Sequence, residues 1–303
     1  MSSSREKANM VSLGQARGKA ILLGEHAVVY GVPALVAGLE VGARARATIA
    51  SELAVDWVDE RLPASDPLYE ALARLTAAFH APPVHLRLEL ALPSGMGLGA
   101  SAALGVAAAR AVRELGTRPS EPLSPAVDAW ERVFHGNPSG VDAAAAELGG
   151  VLRFVRGEKP VPLELKTSFD LCVCLAAPPA STKEMVEQVR RGRDQDPAAF
   201  QAKLDEIGQL VDAGALALSS GDLDHLGALM SRNHEILRSF QLSTGELEKA
   251  RELALEAGAL GAKLTGSGGG GALIALGDPG PILSAWKTQG FDGFCSRIGG
   301  SPT

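Results

Sequence analysis

The stretch Pro93–Gly116, PSGMGLGASAALGVAAARAVRELG, decides how the rest of the chain is read. It opens as a turn, passes three alternating glycines (Gly95, Gly97, Gly99), and meets Ala100-Ser101 at the head of an alanine-rich helical run. Glycine lets the backbone take positive φ and approach a ligand with no Cβ in the way. A helix starting at Ser101 would aim its unpaired N–H groups and the positive end of its dipole into the loop. Together these make an anion site, and phosphate is the usual occupant. The plainer alternative is a glycine-rich turn capping an ordinary helix. The chain has no G-x-x-x-x-G-K-[ST] sequence, so this is not a Walker A loop. G-x-G-x-G after a strand ending in proline also lacks the spacing of a dinucleotide turn.

Upstream of the loop, VHLRLELAL (Val84–Leu92) alternates as a strand should, and PLYEALARLTAAFH (Pro67–His80) has helical periodicity with Pro67 in its first turn. Residues 51–66 suggest a strand or hairpin. His80 and His85 read as loop and strand residues, not a metal pair, since no third ligand lies nearby. Residues 1–12 look like a frayed leader. Between Gly14 and Ala50, the apolar runs Ala20–Leu23 and Ala34–Leu39 are punctuated by Gly24, Gly31 and Pro33, and ARARATIA alternates after Gly42. Gly24-Glu25-His26 therefore falls in a loop between buried segments, just after Lys19.

Downstream, Thr117–Pro125 carries three prolines and reads as a connection, and AVDAWERVF (Ala126–Phe134) as a short helix. Asn137-Pro138-Ser139-Gly140 is a turn signal, with Ser139 placed to cap a helix whose first turn holds Asp142. VLRFV is a strand, and the polar stretch after it closes a first domain. From Phe169 the pattern restarts: a strand, helices from about Lys183 to Ala257, the glycine run Gly268–Gly271 before the apolar strand ALIAL, a helix near Pro281–Gln289, and the strand FCSRI. This succession predicts a small α+β sandwich.

The chain has 303 residues, enough for two modest domains, with 46% hydrophobic and 21% charged residues. A net charge of −6 offers no global basic surface to nucleic acid or anionic membrane. Three cysteines are too few for a disulfide framework; Cys172 and Cys174 alternate within FDLCVCLAA and read as buried thiols on one strand face. The first residues lack the apolar core of a signal peptide and no run reaches transmembrane length, which points to the cytoplasm.

Three stretches, ARGKAILLGEHAVVYGVPAL, LPSGMGLGASAALGVA and KLTGSGGGGALIAL, together resemble the three signature motifs of the GHMP small-molecule kinases, in the same order. The resemblance runs from Lys19 to about Ile298. Each glycine loop alone is a weak signal; the ordered triple is specific. Within that family GEHAVVYG, HGNPSGVD and PASTKEMVEQV (Pro179–Val189) resemble the mevalonate kinases, whereas galactokinases continue GEH with Thr-Asp-Tyr, absent here.

The resemblance implies an α+β, two-domain GHMP kinase fold. Its N-terminal domain, residues 1–165, would be like the second domain of ribosomal protein S5. Its C-terminal domain, residues 166–303, would be a ferredoxin-like sandwich, with the site in the cleft between them. It implies ATP and Mg²⁺ as cofactors, mevalonate as the small-molecule substrate, and a homodimer as a further expectation. Pro93, Ser94, Gly95, Met96, Gly97, Leu98, Gly99, Ala100 and Ser101 would wrap the ATP phosphates, and Ser101 and Glu131 would hold Mg²⁺. Asp142 would sit beside the acceptor hydroxyl, with Lys19 reaching it and the γ-phosphate. Glu25, His26 and Ser181 or Thr182 would face mevalonate, and the loop at Gly266–Gly271, through Gly268, would close near the reacting groups.

These residue types suit phosphoryl transfer, which needs alignment and charge neutralisation more than covalent help. A primary alcohol is too weak an acid to ionise unaided, so a carboxylate that takes its proton, early or late, is sensible. Two positions depart from the family pattern: Ala100 replaces the first of a usual serine pair, and Arg17 replaces a usual proline. Neither removes a group the chemistry needs. Rival readings are a phosphomevalonate, homoserine or sugar kinase, a decarboxylating relative, and a non-catalytic nucleotide or metabolite sensor. The sensor would be expected to have lost Lys19, Ser101, Glu131 or Asp142.

Overall fold

The structure, a computed structural model, describes residues 10–135 and 139–299. Residues 1–9 of the expected leader and Asn137-Pro138 of the expected turn lie outside them. Val11 and Ser12, also read as leader, belong to the first strand. That strand, β1 (Val11–Leu23), extends well beyond the apolar run Ala20–Leu23. Its first half buries Ser12, Gly14, Ala16 and Gly18 in alternation with more exposed residues. The inward residues are small because a helix lies close: a Cβ on Gly14 would stand 1.9 Å from the Ala107 carbonyl oxygen. β2 (Ala34–Ile49) likewise runs unbroken through Gly42. This glycine is no break, since its Cβ would stand 1.9 Å from the Ala16 carbonyl oxygen; it permits a close backbone approach.

The chain forms two compact units. The first combines residues up to Gly18 with Val41–Pro93 and Gly99–Glu147; the second combines Lys19–Glu40, Ser94–Leu98 and the residues from Leu148 onward. In the first unit, β3 (Ala54–Trp57), β4 (Glu60–Arg61) and β5 (Val84–Leu90) join β2 in the order β4-β3-β5-β2, and β1 pairs with β2. Of the strand or hairpin expected there, β3 and β4 form a hairpin, while β3 and β5 run parallel. Helix α1 (Pro67–Phe79) begins as its sequence demands, with Pro67 in the first turn and Asp66 accepting from Leu68 N; His80 closes it in the left-handed region. α2 (Ala100–Leu115) buries its alanines from Ala102 onward, with the Ala107 and Ala111 backbone close to Gly14 of β1, and its Gly105 admits the fully buried Trp130. Trp130 belongs to α3 (Leu123–His135), which starts three residues before the expected Ala126. Pro125 is no obstacle there, because first-turn N–H groups have no intrahelical partner to lose. α4 (Val141–Leu148) follows Gly140 directly, so its first turn begins later than a Ser139 cap would place it.

In the second unit Ala34–Ala37 of β2 pair antiparallel with β6 (Val151–Phe154), and β7 (Val161–Pro162) adds to β6. A separate antiparallel sheet has the order β11-β8-β10-β9, built from β8 (Phe169–Ala177), β9 (Gly261–Thr265), β10 (Gly271–Leu276) and β11 (Asp292–Ile298). β9 is an extra strand: every one of its residues is buried. Cys172 and Cys174 are buried free thiols in β8. The helices are α5 (Thr182–Gln195), α6 (Pro197–Ser220), α7 (Leu223–Ser239), α8 (Gly245–Glu256) and α9 (Pro279–Thr288). Trp286 of α9 is fully buried and donates to Ala250 O of α8 at 2.7 Å. Helices and antiparallel strands thus give the α+β class expected. Among the described residues no helix is long and apolar enough to cross a membrane.

Candidate active site

The loop before α2 has the backbone its glycines require. Gly95, Gly97 and Gly99 have φ of 77°, 75° and 74°, a region that only glycine enters at little cost. The helix starts at Ala100, one residue earlier than expected, and its N-cap is Gly99, which has no side chain to satisfy the first-turn N–H groups. Those donors fit an anion. Ser94 and Gly95 are exposed, Pro93, Met96, Gly97, Gly99 and Ala100 are half-buried, and Leu98 is buried. Leu98 O accepts from Lys19 N at 2.9 Å, fixing the loop to β1. The second glycine run meets the same loop: a Cβ on Gly97 would lie 3.5 Å from Gly266 Cα, and one on Gly271 would lie 3.5 Å from Met96 O.

In the first unit, Ser101 of α2 donates to Glu131 Oε1 of α3 at 2.6 Å. Ser101 is half-buried and Glu131 is buried. One hydroxyl and one carboxylate are hard oxygen donors that suit Mg²⁺. Among the described residues no group of three or more His, Cys, Asp or Glu could hold a metal, so such an ion would keep waters or take phosphate oxygens. Asp142 lies in the first turn of α4 and is half-buried.

The remaining candidates belong to the second unit. Lys19 is a buried lysine in β1. Glu25 is wholly buried and ion-paired to Lys263 of β9, itself wholly buried. Lys263 Nζ also donates to Leu264 O at 2.7 Å and reaches Ile21 O at 3.4 Å. Burial pushes the Glu25 carboxyl up and the Lys263 ammonium down, and each is held back by the other's charge. The next residue, His26, has φ 59° and ψ −41°. Its Nε2 bonds Ser267 O at 2.9 Å, while Thr182 Oγ1 donates to Ser267 Oγ at 3.4 Å. Burial lowers the His26 pKa, against the Ser267 carbonyl, which favours the charged ring. Ser181 and Thr182 are exposed at the start of α5; Gly268 is buried with φ 76°. The structure therefore joins His26 and Thr182 through Ser267 and ties Glu25 into a buried pair.

Lys263 and Ser267, which the sequence placed only within the third motif and its loop, and Asn233, which accepts from Gly24 N at 3.2 Å, were given no role of their own. The signal for Lys263 was its place in a strand flanked by apolar residues, where a lysine needs a partner.

A family model for the N-terminal domain of GHMP kinases matches residues 66–150, and one for the GHMP kinase C terminus matches residues 215–291. The mevalonate kinase of Pyrococcus horikoshii is 34% identical over 297 residues, covering 87% of this chain and 88% of that one. The mevalonate kinase of Aeropyrum pernix is 33% identical over 284 residues, covering 86% and 87%. The crystal structure of L. major mevalonate kinase in complex with R-mevalonate is 28% identical with a TM-score of 0.84, covering 97% of this chain and 98% of that one. With its α+β fold, its paired glycine loops and this similarity along nearly its whole length, the chain belongs to the GHMP kinase family, among the mevalonate kinases.

Proposed function

We propose that the protein transfers the γ-phosphoryl group of ATP to the primary hydroxyl of mevalonate, yielding ADP and 5-phosphomevalonate for isoprenoid precursor synthesis. The observation that carries the acceptor side is the meeting of His26 and Thr182 at Ser267, on the glycine run that approaches Gly97. It gives a polar surface for a hydroxy acid beside the loop that suits phosphate. Bound ATP would supply the phosphoryl group, and Mg²⁺ would supply charge neutralisation for it. Backbone N–H groups of Ser94–Ser101, in the turn that Pro93 opens, would hold the phosphate oxygens, and Ser101 and Glu131 would be the metal's protein ligands. Asp142 takes the proton of the alcohol, and Lys19 offsets the negative charge that develops. Ser181 and Gly268 complete the acceptor surface.

Residues 1–165 form the N-terminal and 166–303 the C-terminal domain in this reading, a boundary that falls between the two matched stretches. A cytoplasmic homodimer also belongs to the proposal. A phosphorylated acceptor would require further cations. Lys183 and Arg191 are exposed, and Arg190 is engaged with Glu187 and Asp194 at 3.8 and 3.9 Å along α5, which favours the unphosphorylated acceptor.

The test is ADP release with Mg²⁺ and ATP against mevalonate, phosphomevalonate, homoserine, galactose and no acceptor. Turnover with mevalonate alone is expected. Preference for another acceptor would overturn the substrate, and ATP binding without turnover on any of them would favour the sensor.

A further inference from the structure

His26 occupies a conformation that side-chain-bearing residues rarely adopt, at φ 59° and ψ −41°. Such strain persists only where the surroundings over-determine it. The surroundings here are specific. Gly24 N donates to Asn233 Oδ1 at 3.2 Å on one side of the histidine. Glu25, its immediate neighbour, is gripped by Lys263 in an ion pair with no solvent exposure on either side chain. A lysine ammonium has three donors. Lys263 directs them at Glu25 Oε1, Leu264 O and Ile21 O, so one side chain ties the Gly24–His26 turn to β1 and β9. Among the described residues Glu25 Oε2 is buried without a hydrogen-bond partner, so the carboxylate leans on Lys263 first, with the Lys19 charge also acting on it. A buried pair of this kind is weak evidence for stability, because well-packed apolar residues often serve as well or better. Its value must lie in the geometry it imposes.

That geometry bears on the ring. His26 Nε2 faces a carbonyl oxygen, Ser267 O, and so carries the proton, which leaves Nδ1 as an acceptor. An alcohol hydroxyl is the matching donor.

We propose that Lys263 is a positioning residue: by anchoring Glu25 it holds the strained His26 so that Nδ1 can accept from a hydroxyl of the acceptor alcohol. This rests on the reading that His26 faces the acceptor. Lys263 itself touches no reacting atom.

The experiment compares wild type with Lys263→Met and with the double variant Glu25→Gln/Lys263→Met, which removes both charges of the pair together and guards against simple misfolding. Amide hydrogen exchange follows the loop, where Ala27 N bonds Glu25 O and Val28 N bonds Gly24 O. Steady-state kinetics use whichever acceptor the wild type phosphorylates. In the double variant the amides of Ala27 and Val28 should exchange at least about tenfold faster, while β10 amides stay protected. Its KM for the acceptor should rise at least about tenfold, with KM for MgATP unchanged. Unchanged exchange at Ala27 and Val28 would overturn the anchoring whatever the substrate. Faster exchange with an unchanged acceptor KM would overturn the link to His26. A wild type that ignores mevalonate but phosphorylates another alcohol would overturn the substrate reading and leave both measurements decisive.

Discussion

Ser101 Oγ and Glu131 Oε1 are 2.6 Å apart, joining the first turn of α2 to the middle of α3. The two positions are 30 residues apart in sequence, and the buried carboxylate is oriented by a hydroxyl at the mouth of a glycine loop. If they share Mg²⁺, then Glu131→Gln, which keeps shape and removes charge, should raise the Mg²⁺ concentration for half-maximal activity about ten- to a hundredfold. Ser101→Ala should do so more mildly. Titration of ADP release with Mg²⁺ at fixed ATP checks this; an unshifted Mg²⁺ curve in both variants would place the metal elsewhere.

Asp142 sits in a helix first turn, where a carboxylate is favoured by the dipole even without a catalytic task. The two roles separate kinetically. As the proton acceptor, Asp142→Asn should lower kcat by about 10²–10⁴ with KM for MgATP little changed. As a helix-start charge alone, the same change would cost at most about 1 kcal/mol of stability and leave kcat intact.

His234 of α7 gives a pH prediction away from the chemistry. Its Nδ1 accepts from Leu264 N at 3.2 Å and its Nε2 faces Glu248 Oε1 at 3.0 Å, a pattern that fits the neutral ring. Burial, and after it the Arg251 guanidinium, push its pKa down to about 4 against the pull of Glu248, with Lys263 adding to the fall. The unfolded chain, with a histidine near 6.5, therefore binds more protons between pH 6.5 and 4. Stability from this group is complete above pH 6.5 and is lost as pH falls, by about 3 kcal/mol at pH 4. Urea unfolding at pH 7 and pH 4.5 should show a smaller acid loss in His234→Gln than in wild type. Equal losses would remove His234 as the cause.

Local chemistry made much of this legible. Asp66-Pro67 starts a helix because a capping carboxylate and a fixed φ act within one turn, and the glycines at 95, 97 and 99 show their positive φ for the same reason. The first half of β1 was hidden because its inward residues are Ser12, Gly14, Ala16 and Gly18, whose alternation carries almost no hydrophobic signal. Gly42 carried no signal of its own beyond preceding the alternating ARARATIA, because its role is set by a neighbouring strand. The Lys263–Glu25 pair joins residues 238 apart, and no spacing rule could link them before the fold did. Side-chain types thus drew attention to His26, while the Glu25–Lys263 pair beside it is a tertiary fact.

The two kinds of glycine predict opposite responses to the same added methyl group. At Gly42 an alanine Cβ would stand 1.9 Å from Ala16 O and 2.8 Å from Arg17 Cα. Both obstacles are backbone, in a strand paired with β2, so relief requires the strands to part. Gly42→Ala should destabilise by about 3 kcal/mol or more. At Gly192, inside α5, a Cβ meets nothing within 4 Å and the backbone is helical. Gly192→Ala should stabilise by up to about 1 kcal/mol, by reducing the entropy lost on folding. Urea unfolding of the two variants beside wild type checks both signs at once. A Gly42→Ala protein as stable as wild type would mean that β1 and β2 are not held this closely in solution.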